Sequence, residues 1–363
     1  MDYRILVINS AYTTTRVAVY EDDACQLDDT LKHPTEELAA FDTVWDQFPF
    51  RRHAVEALLQ AKGVSLSTLS AIVSRGGLMR PVEGGTYEVT EPMLTDLQAG
   101  VQGEHAANLG AALAYSLGRE ARVPAYVVDP VAVDEMTPVA RLSGVPELPR
   151  RSLVHALNLK ARARQAAAAR GKPLSSFNAV LVHLGRGISV AAMRADRMVD
   201  VTNAFEGGPF SPERAGTLPA GDLVRLAFGG KHTERELVRR LTAEGGLRAY
   251  LGTADLQEVE HRVEQGDPVA TLVYEAMAYQ VAKEIGAMAC AIEGSLDAIV
   301  LTGDLAASER LVDWISDRVS FMGPVLVYPG GDEMAALAAG ALRVLQGQET
   351  IKTYPKGDIT LDA

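Results

Sequence analysis

The chain has 363 residues, of which 47% are hydrophobic and 23% charged, and a formal net charge of −12. That length leaves room for about two domains, each able to bury its own core. The acidic balance argues against nucleic acid or an anionic membrane as partner, because both repel such a surface, but leaves open a small anion held at a locally basic site. Cys25 and Cys290 are too few and too far apart for a disulfide framework or a cysteine metal site, so reduced thiols and a cytoplasmic protein are expected. Ile5–Ile8, flanked by Asp2 and Arg4, is too short for a targeting segment, and no apolar run is long enough to predict a membrane span.

In chain order, Arg4–Asn9 reads as a strand, Ser10–Thr14 as a polar turn and Arg16–Tyr20 as the returning strand. Cys25–His33 supplies a third strand. Thr35–Lys62 carries helical spacing, interrupted at Pro49 with a restart at Arg51. Leu69–Ser74 is a short strand running into Arg75-Gly76-Gly77, Pro81–Tyr87 a loop, Glu104–Glu120 a helix, and Pro124–Val128 a strand that ends at Asp129-Pro130. The second half repeats this plan. Ser152 is placed to cap a helix through Arg170, and strands follow at 179–184, 187–193 and 197–202. An irregular stretch, Asn203–Pro219, precedes helices over Ala220–Phe228 and Thr233–Thr242. Val269–Ile292 has the longest apolar stripe at helical spacing, which reads as core. A buried strand at Ala298–Leu301, a helix at Ser308–Val319, a strand at Val325–Tyr328 and a helix at Asp332–Leu345 complete the pattern. The polar tail from Gln346 is either mobile or packed as an arm.

Two hairpins of one design, half a chain apart, suggest two related domains and a phosphate site. The second hairpin, within Phe177–Met193, turns through Gly185-Arg186-Gly187, where little side-chain bulk keeps a ligand from the backbone N–H groups. Arg75, at a strand end before two glycines, either grips a carboxylate or phosphate or is a surface arginine. His105, in the first turn of its expected helix, either meets an anion or caps that helix. Asp129 closes a buried strand and either faces a ligand crevice or starts a turn. His183, one residue ahead of the glycine turn's approach, is either a satisfied core histidine or a site residue. Glu333 either caps the final helix or holds Mg²⁺ through water. Gly185-Arg186-Gly187 lacks the third glycine of a dinucleotide fingerprint, and no GxxxxGK[ST], HExxH or GxSxG motif is present.

The stretches GGLMRPVEGGTYEV, GEHAANLGA, VVDPVAVDEM, VHLGRGISV, GPFSPERAGTLP, EAMAYQVAKEIGAMA and PGGDEMAALAAGALRVL, in this order from Ile5 to about Gly347, resemble the acetate and butyrate kinase family. The resemblance implies an α/β fold of two duplicated actin-like, ribonuclease H-like domains around a cleft. They would be 1–150 on the carboxylate side, with 335–363 able to pack back on it, and 151–334 on the nucleotide side. It implies transfer of the ATP γ-phosphoryl group to a short aliphatic carboxylate, with Mg²⁺, and a homodimer. By motif position, Arg75 would bind the carboxylate, Asn9, His105 and His183 would contact the phosphoryl group, Asp129 would orient the site and Glu333 would support Mg²⁺. Thr13, Gly185, Arg186, Gly187, Gly303 and Asp304 fall on the phosphate and nucleotide turns.

This chain departs from the family pattern in those turns. Where the family reads Asn-Pro-Gly-Ser-Thr-Ser-Thr-Lys, the chain has Asn9-Ser10-Ala11-Tyr12-Thr13-Thr14-Thr15-Arg16; the middle glycine of His-Leu-Gly-Gly-Gly is Arg186; Thr-Gly-Gly reads Thr302-Gly303-Asp304. The family's Asp-x-Arg, whose arginine would stabilise transition-state charge, reads Asp255-Leu256-Gln257. Lost glycines predict strained turns if those positions need positive φ. Arg186 would then compensate by aiming its own charge at the phosphates. Two readings follow: a carboxylate kinase, slowed or altered, or a non-catalytic dimeric relative that binds or regulates.

Overall fold

Arg4–Ser10 is so apolar that it needs cover on both faces, and the first sheet is built around it. The structure is a computed structural model describing residues 2–355, so the last part of the 335–363 segment, 356–363, lies outside the described residues. The strands are β1 (Arg4–Ser10), β2 (Thr14–Glu21), β3 (Ala24–Lys32), β4 (Ala71–Ser74), β5 (Thr86–Glu88), β6 (Ala125–Val128), β7 (Asn178–Leu184), β8 (Ile188–Arg194), β9 (Arg197–Val201), β10 (Ala298–Gly303) and β11 (Val325–Pro329). The chain divides into one compact unit of Met1–Asp134 with Asp332–Ala363 and another of Glu135–Gly331.

In the first unit the sheet order is β3-β2-β1-β4-β6-β5; β1–β2 and β2–β3 are antiparallel, β1–β4 and β4–β6 parallel. In the second the order is β11-β10-β7-β8-β9, with β7–β8 and β8–β9 antiparallel and β7–β10 and β10–β11 parallel. Read from its other edge, the second sheet repeats the first, strand for strand and sense for sense, except for the added edge strand β5. Parallel strands need long crossovers and cover on both faces, which explains the near-continuous apolar runs Ile5–Ile8 and Ala298–Leu301.

Helices supply that cover. In the first unit Asn108–Ala121 and Glu333–Leu345 pack on β1, β4 and β6; Gly340 comes so close to β6 that a Cβ there would lie 2.5 Å from Val128 Cγ1. In the second, Ala156–Ala169 packs on β7 and β10, and the 24-residue helix Pro268–Ala291 on β7, β8 and β9. Its stripe Val273, Met277, Val281, Ile285 and Met288 lies in one core with Val180, Val182 and Leu301. None of the described helices is long and apolar enough to cross a membrane. Both cysteines are free and exposed.

Several element boundaries differ from the sequence reading, each for a local reason. Pro49 does not interrupt a helix but sits in the first turn of Phe48–Ala61, where its missing N–H would have no partner anyway. Before that helix, Thr35–Leu38 forms a single helical turn and Trp45–Gln47 a 3-10 turn, with irregular chain between them. Ser152 is not the cap of this helix, which begins at Ala156, after His155. The helix expected from Glu104 begins at Asn108, because the Asn108 side chain is taken up by Leu78 N, Leu97 O and Gly103 O, fixing the chain before it as a loop. Short helices at Glu91–Ala99, Gly246–Leu251 and Leu256–Glu264 and the strand β5 have too few periodic residues to read from sequence. Within the described tail, Lys352 N donates to Thr86 O at 2.8 Å, and buried Tyr354 donates from its hydroxyl to Asp96 Oδ2 at 2.9 Å.

Candidate active site

In the first unit the chemistry gathers where β1 and β4 end and the final helix begins. Asp332 caps that helix, its Oδ1 accepting from Ala335 N at 3.0 Å, which leaves the neighbouring carboxylate of Glu333 for other work. Asn9 Nδ2 donates to Glu333 Oε2 at 2.7 Å, and Arg75 Nη1 lies 3.4 Å from the same carboxylate. The capping reading of Glu333 is therefore replaced by a shared one with Asn9 and Arg75.

His105 lies just outside its helix, with Nδ1 accepting from Ala107 N at 3.0 Å. That bond assigns the proton of the neutral ring to Nε2, leaving a donor on the free side. Burial first, and then the Arg75 charge, hold its pKa below the ordinary value, so the ring is neutral. Tyr12, 60% exposed, meets the His105 ring edge-on at 5.1 Å. Asp129, almost fully buried with φ +38°, accepts from Gly85 N at 2.7 Å, and its own N–H returns a bond to Gly85 O at 3.0 Å. It thereby fixes the loop between Pro81 and β5. Thr13 is in the β1–β2 turn, where its carbonyl accepts from His33 N at 2.8 Å.

In the second unit His183, near the end of β7, pairs through Nδ1 with Asn158 Oδ1 at 3.0 Å. Its ring stacks on His155 with centroids 3.9 Å apart and planes 14° from parallel, and His155 Nδ1 reaches Ser189 Oγ at 2.9 Å. Sequence reasoning missed His155, since it was absorbed into an expected helix. Gly185 is small because a Cβ there would meet His183 Nε2 at 2.7 Å; at Gly187 a Cβ would meet Arg214 Nη1 at 2.1 Å. The Arg214 guanidinium thus rests on the glycine turn. It lies 4.0 Å over the Phe205 ring and donates to Ala204 O at 2.9 Å; burial lowers its pKa from a very high starting value and leaves it charged. Ser211 ties this loop to the turn, donating to Arg186 O at 2.6 Å and accepting from Arg214 N at 3.1 Å. Arg214 carried no signal of its own in GPFSPERAGTLP; only folding reveals its neighbour.

The departures from the family pattern look different in three dimensions. None of Ala11, Tyr12, Arg186 and Asp304 takes a positive φ, so the expected backbone strain is absent. The glycine that the backbone demands there is Gly303, at φ +93°, where a Cβ would lie 2.3 Å from Leu184 O, and the chain keeps it. Asp304 starts the short turn Asp304–Ala307 and is exposed. The compensating role for Arg186 is not supported: its side chain is 83% exposed and forms a two-pronged pair with Glu213, at 2.9 Å from Nε and 3.0 Å from Nη2. Glu213 also takes Arg248 Nη2 at 2.8 Å. Gln257 is exposed on the first turn of Leu256–Glu264, whose N-terminus Asp255 caps at 2.9 Å.

Within each unit the predicted residues thus converge in part. Asn9, Arg75, His105 and Glu333 form one cluster; His183, Gly185 and Gly187, joined by His155 and Arg214, form another; the exposed Gln257 side chain has no hydrogen bond among the described residues.

The sequence profile of the Acetokinase family matches residues 148–325. A probable butyrate kinase of Clostridium botulinum is 48% identical over 355 residues, 98% of this chain and 100% of that protein. Butyrate kinase 2 of Clostridium acetobutylicum is 47% identical over the same shares. The chain belongs to the acetokinase family. Its fold is that of solved acetokinase-family enzymes: Porphyromonas gingivalis acetate kinase superposes with a TM-score of 0.79 at 16% identity, over 94% of this chain and 100% of that one. A propionate kinase from Francisella tularensis gives 0.73 at 16% identity, over 93% and 98%. The actin-like α/β fold with a duplicated sheet follows from these likenesses and from the strand order itself.

Proposed function

We propose that this acetokinase-family chain transfers the γ-phosphoryl group of ATP to a short-chain aliphatic carboxylate of the butyrate kind, giving an acyl phosphate and ADP. The observation that carries the reading is the Arg214 guanidinium resting on the Gly185–Gly187 turn, which keeps a cation at a phosphate-type turn although Gln257 stands where the family has arginine. A carboxylate is already ionised at neutral pH, so the reaction needs no strong base; it needs positioning and neutralisation of charge on the transferring group.

Arg75 binds the acceptor carboxylate, its 3.4 Å contact to Glu333 being long enough to yield to a substrate oxygen. Asn9, the Nε2–H of neutral His105, and His183 backed by His155 donate to phosphoryl oxygens. Asp129 holds the adjoining loop. Glu333 offers a hard oxygen not used in capping, which fits a cation such as Mg²⁺ that takes one or two protein carboxylates and keeps its waters. When bound, Mg²⁺ draws charge from the phosphate oxygens.

The reading of a slowed or altered enzyme narrows to the nucleotide. Asp304 adds a carboxylate beside Gly303 and Gln257 removes a cation, whereas the residues assigned to the phosphoryl group are present. The second reading, a non-catalytic dimeric binding or regulatory relative, rests on those same two positions. A homodimer is supported by helix Ala220–Phe228, which buries no residue and leaves Val224 56% and Phe228 88% exposed.

Acyl phosphate trapped as hydroxamate from butyrate, isobutyrate and acetate, beside calorimetric titration with ATP-Mg, tests the proposal. Turnover of about 1–100 s⁻¹ with butyrate preferred over acetate is expected. Absence of ATP binding at millimolar nucleotide leaves the non-catalytic reading.

A further inference from the structure

Beneath the β1–β2 turn lies an arginine that none of the assigned steps uses. Arg51, in helix Phe48–Ala61, is 0% exposed. Its Nη1 donates to Ala11 O at 2.8 Å, Thr14 O at 3.1 Å and Thr15 Oγ1 at 3.2 Å; its Nη2 donates to Tyr12 O at 2.6 Å and Gln47 Oε1 at 2.9 Å; its Nε reaches Gln47 Oε1 at 3.1 Å. Every acceptor is neutral. A further polar group of the cluster, His33, touches Thr15 Oγ1 at 2.9 Å and is held neutral by burial and by the Arg51 charge. A buried cation without a carboxylate is costly, and a turn of this size closes in most proteins without one.

The direction of the bonds says what the arginine does. No cis peptide occurs among the described residues. In a trans peptide the N–H points opposite to the carbonyl. With the carbonyls of Ala11 and Tyr12 drawn down onto Arg51, the N–H groups of the same two peptide units, those of Tyr12 and Thr13, face the other way. Neither has an acceptor among the described residues. Two adjacent outward N–H groups with a guanidinium behind their carbonyls form an anion-facing surface: the cation polarises both peptides, and no carboxylate among the described residues pairs with it.

We propose that Arg51 is a positioning residue for phosphoryl-group binding, holding the Ala11–Thr14 turn so that the Tyr12 and Thr13 amides face the anion. The role does not require glycine in the turn, which is how the chain accommodates Ala11 and Tyr12 where its family has Gly-Ser. The proposal rests on the reading of this turn as a phosphoryl turn.

Arg51→Lys keeps the charge and loses the fork. It is compared with the unmodified protein by steady-state kinetics in ATP and butyrate, by thermal melting, and by amide NMR of ¹⁵N-Tyr- and ¹⁵N-Thr-labelled protein titrated with inorganic phosphate. The expected result, for folded protein, is a fall of about tenfold or more in kcat/KM for ATP, from the loss of charge-assisted bonds. The KM for butyrate should stay within about twofold, and the phosphate-induced shifts of the Tyr12 and Thr13 amides should be lost. Should Arg51→Lys not fold, Gln47→Leu, which removes the anchor on the far side of the guanidinium, should show the same pattern with smaller amplitude. A folded variant with unchanged kcat/KM for ATP and unchanged amide shifts overturns the proposal, as does an equal loss toward both substrates with the shifts intact. If the unmodified protein makes no acyl phosphate yet its Tyr12 and Thr13 amides answer phosphate and lose that answer in the variant, the kinase reading fails and the role of Arg51 stands.

Discussion

The β1–β2 and β7–β8 turns hold the same place in the two repeated sheets, and each brings an arginine to its backbone by opposite means. The β7–β8 turn is stripped of bulk, so that the Arg214 guanidinium can lie on Gly187. The β1–β2 turn carries Ala11 and Tyr12 and is gripped from the core side by Arg51. In the first case glycine makes room for the cation; in the second the cation fixes a turn that has no glycine. The contrast shows that glycine count alone is a poor gauge of a phosphate turn: what matters is where the carbonyls are tied and whether any residue needs positive φ.

The largest expected effect on this contrast is at Arg214. Arg214→Ala should lower kcat by about 10³-fold or more, as loss of a transition-state arginine does, with circular dichroism unchanged. Gly187→Ala should come next. A Cβ 2.1 Å from Arg214 Nη1 displaces the guanidinium, and misplacement on that scale costs about 10²-fold in turnover. The matching test in the first unit separates two adjacent acids. Glu333→Gln should raise the Mg²⁺ concentration for half-maximal rate by about 10–100-fold with little change in melting. Asp332→Ala should leave that concentration alone and cost about 1 kcal/mol of stability through the lost cap.

Acid should loosen the first turn. Burial, and then the charge of Arg51, lowers the His33 pKa from the ordinary 6.5 to about 4. The folded protein therefore resists a proton that the unfolded chain accepts, and stability is complete above pH 6.5 and declines as pH falls toward 4. His33→Gln should flatten this part of the melting-temperature profile. The smallest effect is expected at Arg186→Gly. The residue's charge is already answered by Glu213 at the surface, so the rate should change less than about twofold and stability by less than about 1 kcal/mol. A large gain or loss there would restore a direct role for Arg186.

Much of this molecule was legible in the chain because its signals are local. The apolar runs and polar turns within Arg4–Tyr20 and Phe177–Met193 and the stripe from Val269 to Ile292 mark two hairpins and a core helix by spacing alone, and Arg75 and Asp129 stand out only as candidates at strand ends. The motifs in order along the chain point to its family. What only the tertiary structure decided concerns partners distant in sequence. Asn9 reaches Glu333, Arg51 reaches Ala11, Arg214 reaches Gly187 and His155 stacks on His183. It also concerns φ, which no residue name states: Gly303 needs its glycine and residue 304 does not. Periodicity reports which face of an element is buried. The identity of the group across that face depends on how the whole sheet and its helices close, and so do the direction of a turn's amides and the charge behind them.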